Sequence, residues 1–175
     1  IDKFGRYSFS NQPPITKWNL SRFAECLIPL IDNNEDKAIQ LASEAIDNFQ
    51  NIYEEKWLNM MRDKLGLFGK TKDDKKLIDD LLTWMEKNKA DYTNTFCYLM
   101  IISIGNSSLY DDKEFINWSN NWKNRIFINN NSKDKSIELM KKTNPIIIPR
   151  NHKVEEALKA ANENDLSDTV DDEID

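Results

Sequence analysis

At 175 residues, with 39% hydrophobic and 10% aromatic side chains, the chain is long enough to bury one sizeable core. Four glycines and five prolines leave few tight turns and favour helices, while two cysteines without CxxC spacing read as buried thiols of a reducing compartment rather than a disulfide framework. The formal charge of −6 sits at the end of the chain, where seven acids and no basic residue follow Lys159; the nearly neutral remainder excludes the electrostatic footprint of a nucleic-acid binder.

In chain order, residues 1–14 lack helical periodicity and end in Pro13-Pro14, so they read as an extended segment with a sharp entry to the first helix. Trp18, Phe23, Leu27, Leu30 and Ile31 then recur at helical spacing, which predicts a helix over 15–31 with that stripe facing a core and its last turn loosened by Pro29. From Glu35 to Lys64 neither proline nor glycine interrupts the pattern Ala42, Ala45, Phe49, Ile52, Tyr53, Met60, Met61, and a continuous rod of about 45 Å is expected, stopped at Gly66.

Thr71 with Asp74 resembles a capping box before Leu77, Ile78, Leu81, Leu82 and Met85. Asp91 is placed to cap the next segment, which extends to Gly105; its stretch Cys97–Ile102 fits a buried strand as well as a helix by pattern alone. Phe115, Trp118, Trp122 and Ile126 define another helix, Ser132 caps a short one ending before Pro145, and Asn151 opens a last one through Val154, Leu158 and Ala161. The fold class is therefore all-α, a single compact bundle of about seven helices with short loops over 15–163, followed by an acidic, disordered tail over 164–175. The apolar run Phe96–Ile104 falls far short of the roughly 20 residues of a membrane span, and no signal-peptide pattern opens the chain, so no membrane partner is expected and the chain reads as cytoplasmic.

Residue chemistry yields no catalytic constellation. GLFGKT, Gly66 to Thr71, approaches a phosphate loop, but G-x-x-x-x-G-K-[ST] puts the leading glycine where Lys64 stands, and a helix rather than a strand precedes it. His152, the only histidine, has Glu155 and Glu156 beside it, a pattern better explained by carboxylates at a helix N-terminus than by a metal site. The pairs Asp73-Asp74, Asp79-Asp80 and Asp111-Asp112 are mixed with lysines and read as solvated faces.

Four blocks carry a resemblance. GRYSFSNQPPITKWNLSRFAECLIPLI (residues 5–31) sets Gly5, Arg6, Tyr7 and Asn11, Gln12, Pro13 before a helix with Trp18 and Asn19; ADYTNTF (residues 90–96) contains Asn94. Trp118, Trp122 and Arg125 form W-x3-W-x2-R, and NPIIIPRNHKVEEAL (residues 144–158) contains Pro149, Arg150, Asn151 and His152. Together they resemble the C-terminal part of the selenoprotein O family, protein adenylyltransferases with a pseudokinase fold.

The resemblance implies a kinase-like parent that binds ATP in inverted orientation and, with Mg2+, transfers AMP to Ser, Thr or Tyr hydroxyls of protein substrates. In that family the ATP loop, the Lys–Glu pair, the base Asp and the metal-binding Asn and Asp precede the Gly-Arg-Tyr element. No catalytic, cofactor-binding or metal residue is therefore assigned to this chain, and its motif positions are taken as structural. ATP and Mg2+ belong to the full-length parent, and the main partner implied is the missing N-terminal catalytic half, from which residues 1–14 would continue. The C-terminal Cys-x-x-Cys or Cys-x-x-selenocysteine of many members has no counterpart, which leaves redox control without support. On this reading Tyr7, Phe9, Pro13 and Trp18 belong to a surface covered by that half, and the chain alone should not catalyse. The alternative is an independent helical interaction module whose groove accepts an amphipathic helix.

Overall fold

The computed structural model describes residues 4–101, 108–128 and 132–162. All regular structure among them is helical, as the glycine-poor, periodic sequence predicts: α1 (Gln12–Ile31), α2 (Glu35–Asp47), α3 (Phe49–Lys64), α4 (Asp74–Lys87), α5 (Tyr92–Ile101), α6 (Lys113–Ile126), α7 (Lys133–Thr143) and α8 (Asn151–Asn162), with short 3-10 turns at Phe9–Asn11 and Ser108–Asp111. The chain divides into two compact units, Ile1–Arg62 and Asp63–Asp175. The acidic tail expected over 164–175 lies outside the described residues.

In the first unit, the entry is not extended. Ser8 N–H donates to the Gly5 carbonyl at 3.0 Å and Asn11 N–H to Ser8 at 2.9 Å, and the prolines fall at the first positions of α1 instead of before it. Proline is suited there because its missing N–H would have no helical partner anyway. Gln12 Nε2 reaches the Tyr7 carbonyl at 2.6 Å and Asn11 Nδ2 the Gly5 carbonyl at 2.8 Å, so the turn is tied by its own side chains. Pro29 is accommodated inside α1 two residues before its end.

α1 packs against α2, whose N-cap Asn34 accepts the Lys37 N–H at 3.0 Å. The expected rod over 35–64 is broken at Asn48. Asn48 keeps right-handed helical dihedrals and its N–H still reaches the Glu44 carbonyl at 3.2 Å, while its side-chain oxygen accepts from Asn51 Nδ2 at 3.4 Å. A short polar side chain that can bond locally weakens the helical ladder without needing proline or glycine. The stripe of α1 expected to face a core does not: Trp18, Phe23, Leu30 and Ile31 are exposed and Leu27 half-buried, and Ser21, Ala24 and Ile28 border the groove beside α2 instead. Within α1 and α2 only Ile15 and Ala38 are buried.

The second unit holds the larger core. Gly66, with φ of +67°, ends the turn after α3, and its N–H donates to the Asp63 carbonyl at 3.0 Å. α4 packs on α6 and α5 meets α7; Ile78, Leu81, Trp84 and Met85 of α4 and Phe115, Trp118, Trp122 and Ile126 of α6 are buried. The 97–101 part of the ambiguous apolar run is helical within α5, with Phe96, Cys97, Leu99 and Met100 buried. A row of rings runs through this core: Tyr98 stacks on Tyr110 at 3.9 Å, Trp84 meets Phe115 at 4.6 Å, and Trp118 stacks on Trp122 at 5.9 Å. Each indole N–H finds an acceptor, as buried tryptophans require: Asp112 for Trp84, the Leu77 carbonyl for Trp118 and the Leu65 carbonyl for Trp122. Asp112 and Ser132 cap α6 and α7 through the N–H groups of Phe115 and Lys135.

Candidate functional site

The motif residues gather into three places. At the N-terminus Arg6 lies over the Trp18 ring at 4.5 Å, with Arg22 on that ring at 5.7 Å and Tyr7 within 5.7 Å of Arg6. Gly5 takes a left-handed φ of +65°, which suits a glycine at the turn. Asn19 is exposed on α1.

The second place is built on α6. Trp118, Trp122 and Arg125 share one face at helical spacing, and Arg125 is buried. Its Nε donates to Asp74 Oδ1 at 2.6 Å and its Nη2 to Asp74 Oδ2 at 3.2 Å, while its terminal nitrogens also reach the Phe68 carbonyl at 3.1 and 3.2 Å and the Gly69 carbonyl at 3.1 Å. Thr71 N–H and Oγ1 donate to the same Asp74 carboxylate at 3.0 and 2.6 Å. The sequence marks Thr71 and Asp74 as a capping box but does not reveal the arginine that makes Asp74 the centre of the loop.

This geometry tests the phosphate-loop idea. A phosphate cradle needs converging N–H groups. In 66–71 it is the carbonyls of Phe68 and Gly69 that converge, and on a guanidinium of the same chain, while Thr71 is committed to Asp74. The loop does not fit a nucleotide. Among the described residues no group of three or more His, Cys, Asp and Glu is placed to hold a metal ion.

The third place joins α5 to the segment before α8. Arg150 Nη1 donates to Asp91 Oδ2 at 2.9 Å, and Asp91 Oδ1 caps α5 through the Asn94 N–H at 2.8 Å. The Arg150 hydrogen bond holds the Asp91 carboxyl below its ordinary value, helped by that N–H and opposed by burial. Pro149, Asn151 and His152 are exposed around this anchor. Nearby, Lys64 Nζ donates to Asn144 Oδ1 at 2.9 Å and lies over the Phe96 and Tyr92 rings at 4.9 and 5.4 Å; burial pushes its ammonium pKa down. Asn144 Nδ2 returns a bond to the Lys64 carbonyl at 2.8 Å. Burial likewise raises the Cys97 thiol pKa, and Lys64 partly offsets it. Neither Lys64 nor Asn144 stands out by spacing, because the two are 80 positions apart.

The first unit also carries a groove of about 440 Å3 bordered by Ser21, Glu25, Ile28, Ile39, Ser43 and Ile46. No helix among the described residues is long and apolar enough to cross a membrane.

Comparison with known proteins bears directly on these clusters, since residues 1–172 match the family described as "Protein adenylyltransferase SelO". The chain belongs to the SelO family. It is 60% identical to the protein nucleotidyltransferase YdiU of Pelagibacter ubique over 95% of its own length and 35% of that protein's. It is 48% identical to the YdiU proteins of Clostridium beijerinckii and Nitrosococcus oceani, covering 34% and 33% of their lengths. The chain thus spans about a third of the length of these SelO-family relatives. Within it, W-x3-W-x2-R closes the 66–74 loop around Asp74, and Pro-Arg-Asn-His meets ADYTNTF through Arg150 and Asp91.

Proposed function

We propose that this chain is the C-terminal helical part of a protein adenylyltransferase that moves AMP from ATP, with Mg2+, to Ser, Thr or Tyr hydroxyls of protein substrates. Its own share of that work is structural: it supports the upstream half that handles nucleotide and metal. Family membership over residues 1–172 and the coverage of only about a third of the relatives support this reading. The observation that carries it lies on α1, where Phe23 and Leu30, seven positions apart and so on one face, are 60% and 82% exposed. Large apolar side chains that share an exposed helix face mark a surface that another segment covers.

The test is AMP transfer measured with ATP and Mg2+ on the full-length polypeptide and on these 175 residues alone. The full-length protein is expected to label hydroxyl side chains of target proteins and the chain alone to label none. Transfer by the 175 residues unaided would overturn the assignment. The groove beside α2 keeps the alternative of an independent interaction module in view. That reading predicts an amphipathic peptide helix bound by the 175-residue chain, with binding lost when Ala42, which also lines the groove, is replaced in Ala42→Trp.

A further inference from the structure

α8 is a 12-residue helix with no buried residue. Val154, Ala157, Leu158 and Ala161 share one face at helical spacing, while His152, Glu156 and Lys159 lie opposite. Leu158 is 60% exposed, and Ile147, in the segment leading to the helix, is 77% exposed. A helix of this length is marginal in water unless its apolar face is packed. Its root is nevertheless fixed, because Arg150 is bonded to Asp91 and its carbonyl accepts the N–H groups of Lys153 and Val154 at 2.8 and 3.0 Å.

We propose that α8 and Ile146–Ile147 are the docking element with which this part of the chain grips the upstream part of its own polypeptide, a claim that rests on the reading of the chain as one portion of a larger adenylyltransferase. The occupant is set by coverage and area. The chain spans 35% of a relative that is 60% identical to it, so most of such a polypeptide lies outside these residues. Six apolar side chains, two of them alanines, cover on the order of a few hundred Å2, short of the roughly 1,200 Å2 at which stable dimers begin. A tethered partner needs far less area, since the tether supplies a high effective concentration. The face fits an apolar groove that accepts a helix by its i, i+4, i+7 side chains.

Hydrogen exchange of the full-length polypeptide tests this, with AMP transfer read on the same samples. The α8 amides are expected to exchange about 100-fold or more slowly than unstructured peptide, independently of protein concentration. Val154→Asp with Leu158→Asp should return them to near-unstructured rates, whereas Lys159→Glu on the opposite face should not. Unprotected α8 amides in the unmutated protein, protection that fades on dilution as a second copy leaves, or protection that survives both aspartates would each overturn the docking. AMP transfer with an unprotected α8 removes the docking and leaves the function. A protected α8 in a protein that transfers no AMP does the reverse.

Discussion

Arg125 Nε donates to Asp74 Oδ1 at 2.6 Å, and neither side chain keeps more than 7% of its surface in water. The pair joins α6 to the first turn of α4 and, through the Phe68 and Gly69 carbonyls, fixes the loop between α3 and α4. Removing one partner leaves a buried charge without compensation, so Arg125→Met or Asp74→Leu should each cost about 3–5 kcal/mol in denaturant unfolding. The double substitution should not restore stability, because the two carbonyls then lose their donor as well. Arg125→Lys should also fail, since one ammonium cannot reproduce the planar fork.

Gly66 and Gly5 offer a comparison at almost the same backbone angle, +67° and +65°. A Cβ on Gly66 would stand 2.6 Å from the Ser136 carbonyl oxygen, a backbone atom that cannot swing aside, whereas on Gly5 its nearest neighbour is Ser8 Oγ at 3.8 Å. Gly5→Ala should therefore cost only the left-handed penalty of about 1–2 kcal/mol, and Gly66→Ala distinctly more. Melting temperatures of the two variants in the same background decide the order.

What the sequence conveys and what it withholds divide along the range of the interactions. The caps at Asp91 and Ser132, the face of α6 and the stop at Gly66 are set within a few residues, and local pattern finds them. Asp74 with Arg125 and Lys64 with Asn144 are joined over 51 and 80 positions, where no local rule reaches. The stripe of α1 is legible as apolar, but periodicity cannot tell whether its partner lies in the same piece of chain. Pro13 and Pro14 mislead because proline, a boundary inside a helix, is a natural first residue of one.

The Arg150 anchor should respond to acid. Asp91 is held below its ordinary value in the folded chain, so folding favours the charged carboxylate. Its contribution is complete above the unfolded value of about 3.9 and is lost as the pH falls through the lower folded value. Asp91→Asn should abolish that part of the acid response and loosen the 145–150 segment at neutral pH. The carboxyl titration followed by NMR, with exchange of the Lys153 and Val154 amides as the structural readout, checks both.

The two thiols provide a final prediction, and it reports on the outward face of α1. Cys97 is buried, its thiol pKa is raised by that burial, and its Sγ lies 3.8 Å from the Pro145 carbonyl oxygen, so it should react slowly with a maleimide or aromatic disulfide. Cys26 is exposed, three residues after Phe23 and four before Leu30, and therefore shares their face. In the 175-residue chain Cys26 should be labelled first, with Cys97 reacting only as the second unit opens. In the full-length protein the proposed upstream half covers that face, and Cys26 labelling should slow by about tenfold or more, in step with local opening. Phe23→Asp in the full-length protein should restore fast labelling by weakening the cover. Equal Cys26 rates in the short and full-length chains would mean that the stripe faces water in both, and the supporting role proposed for these helices would have to be exercised through another surface.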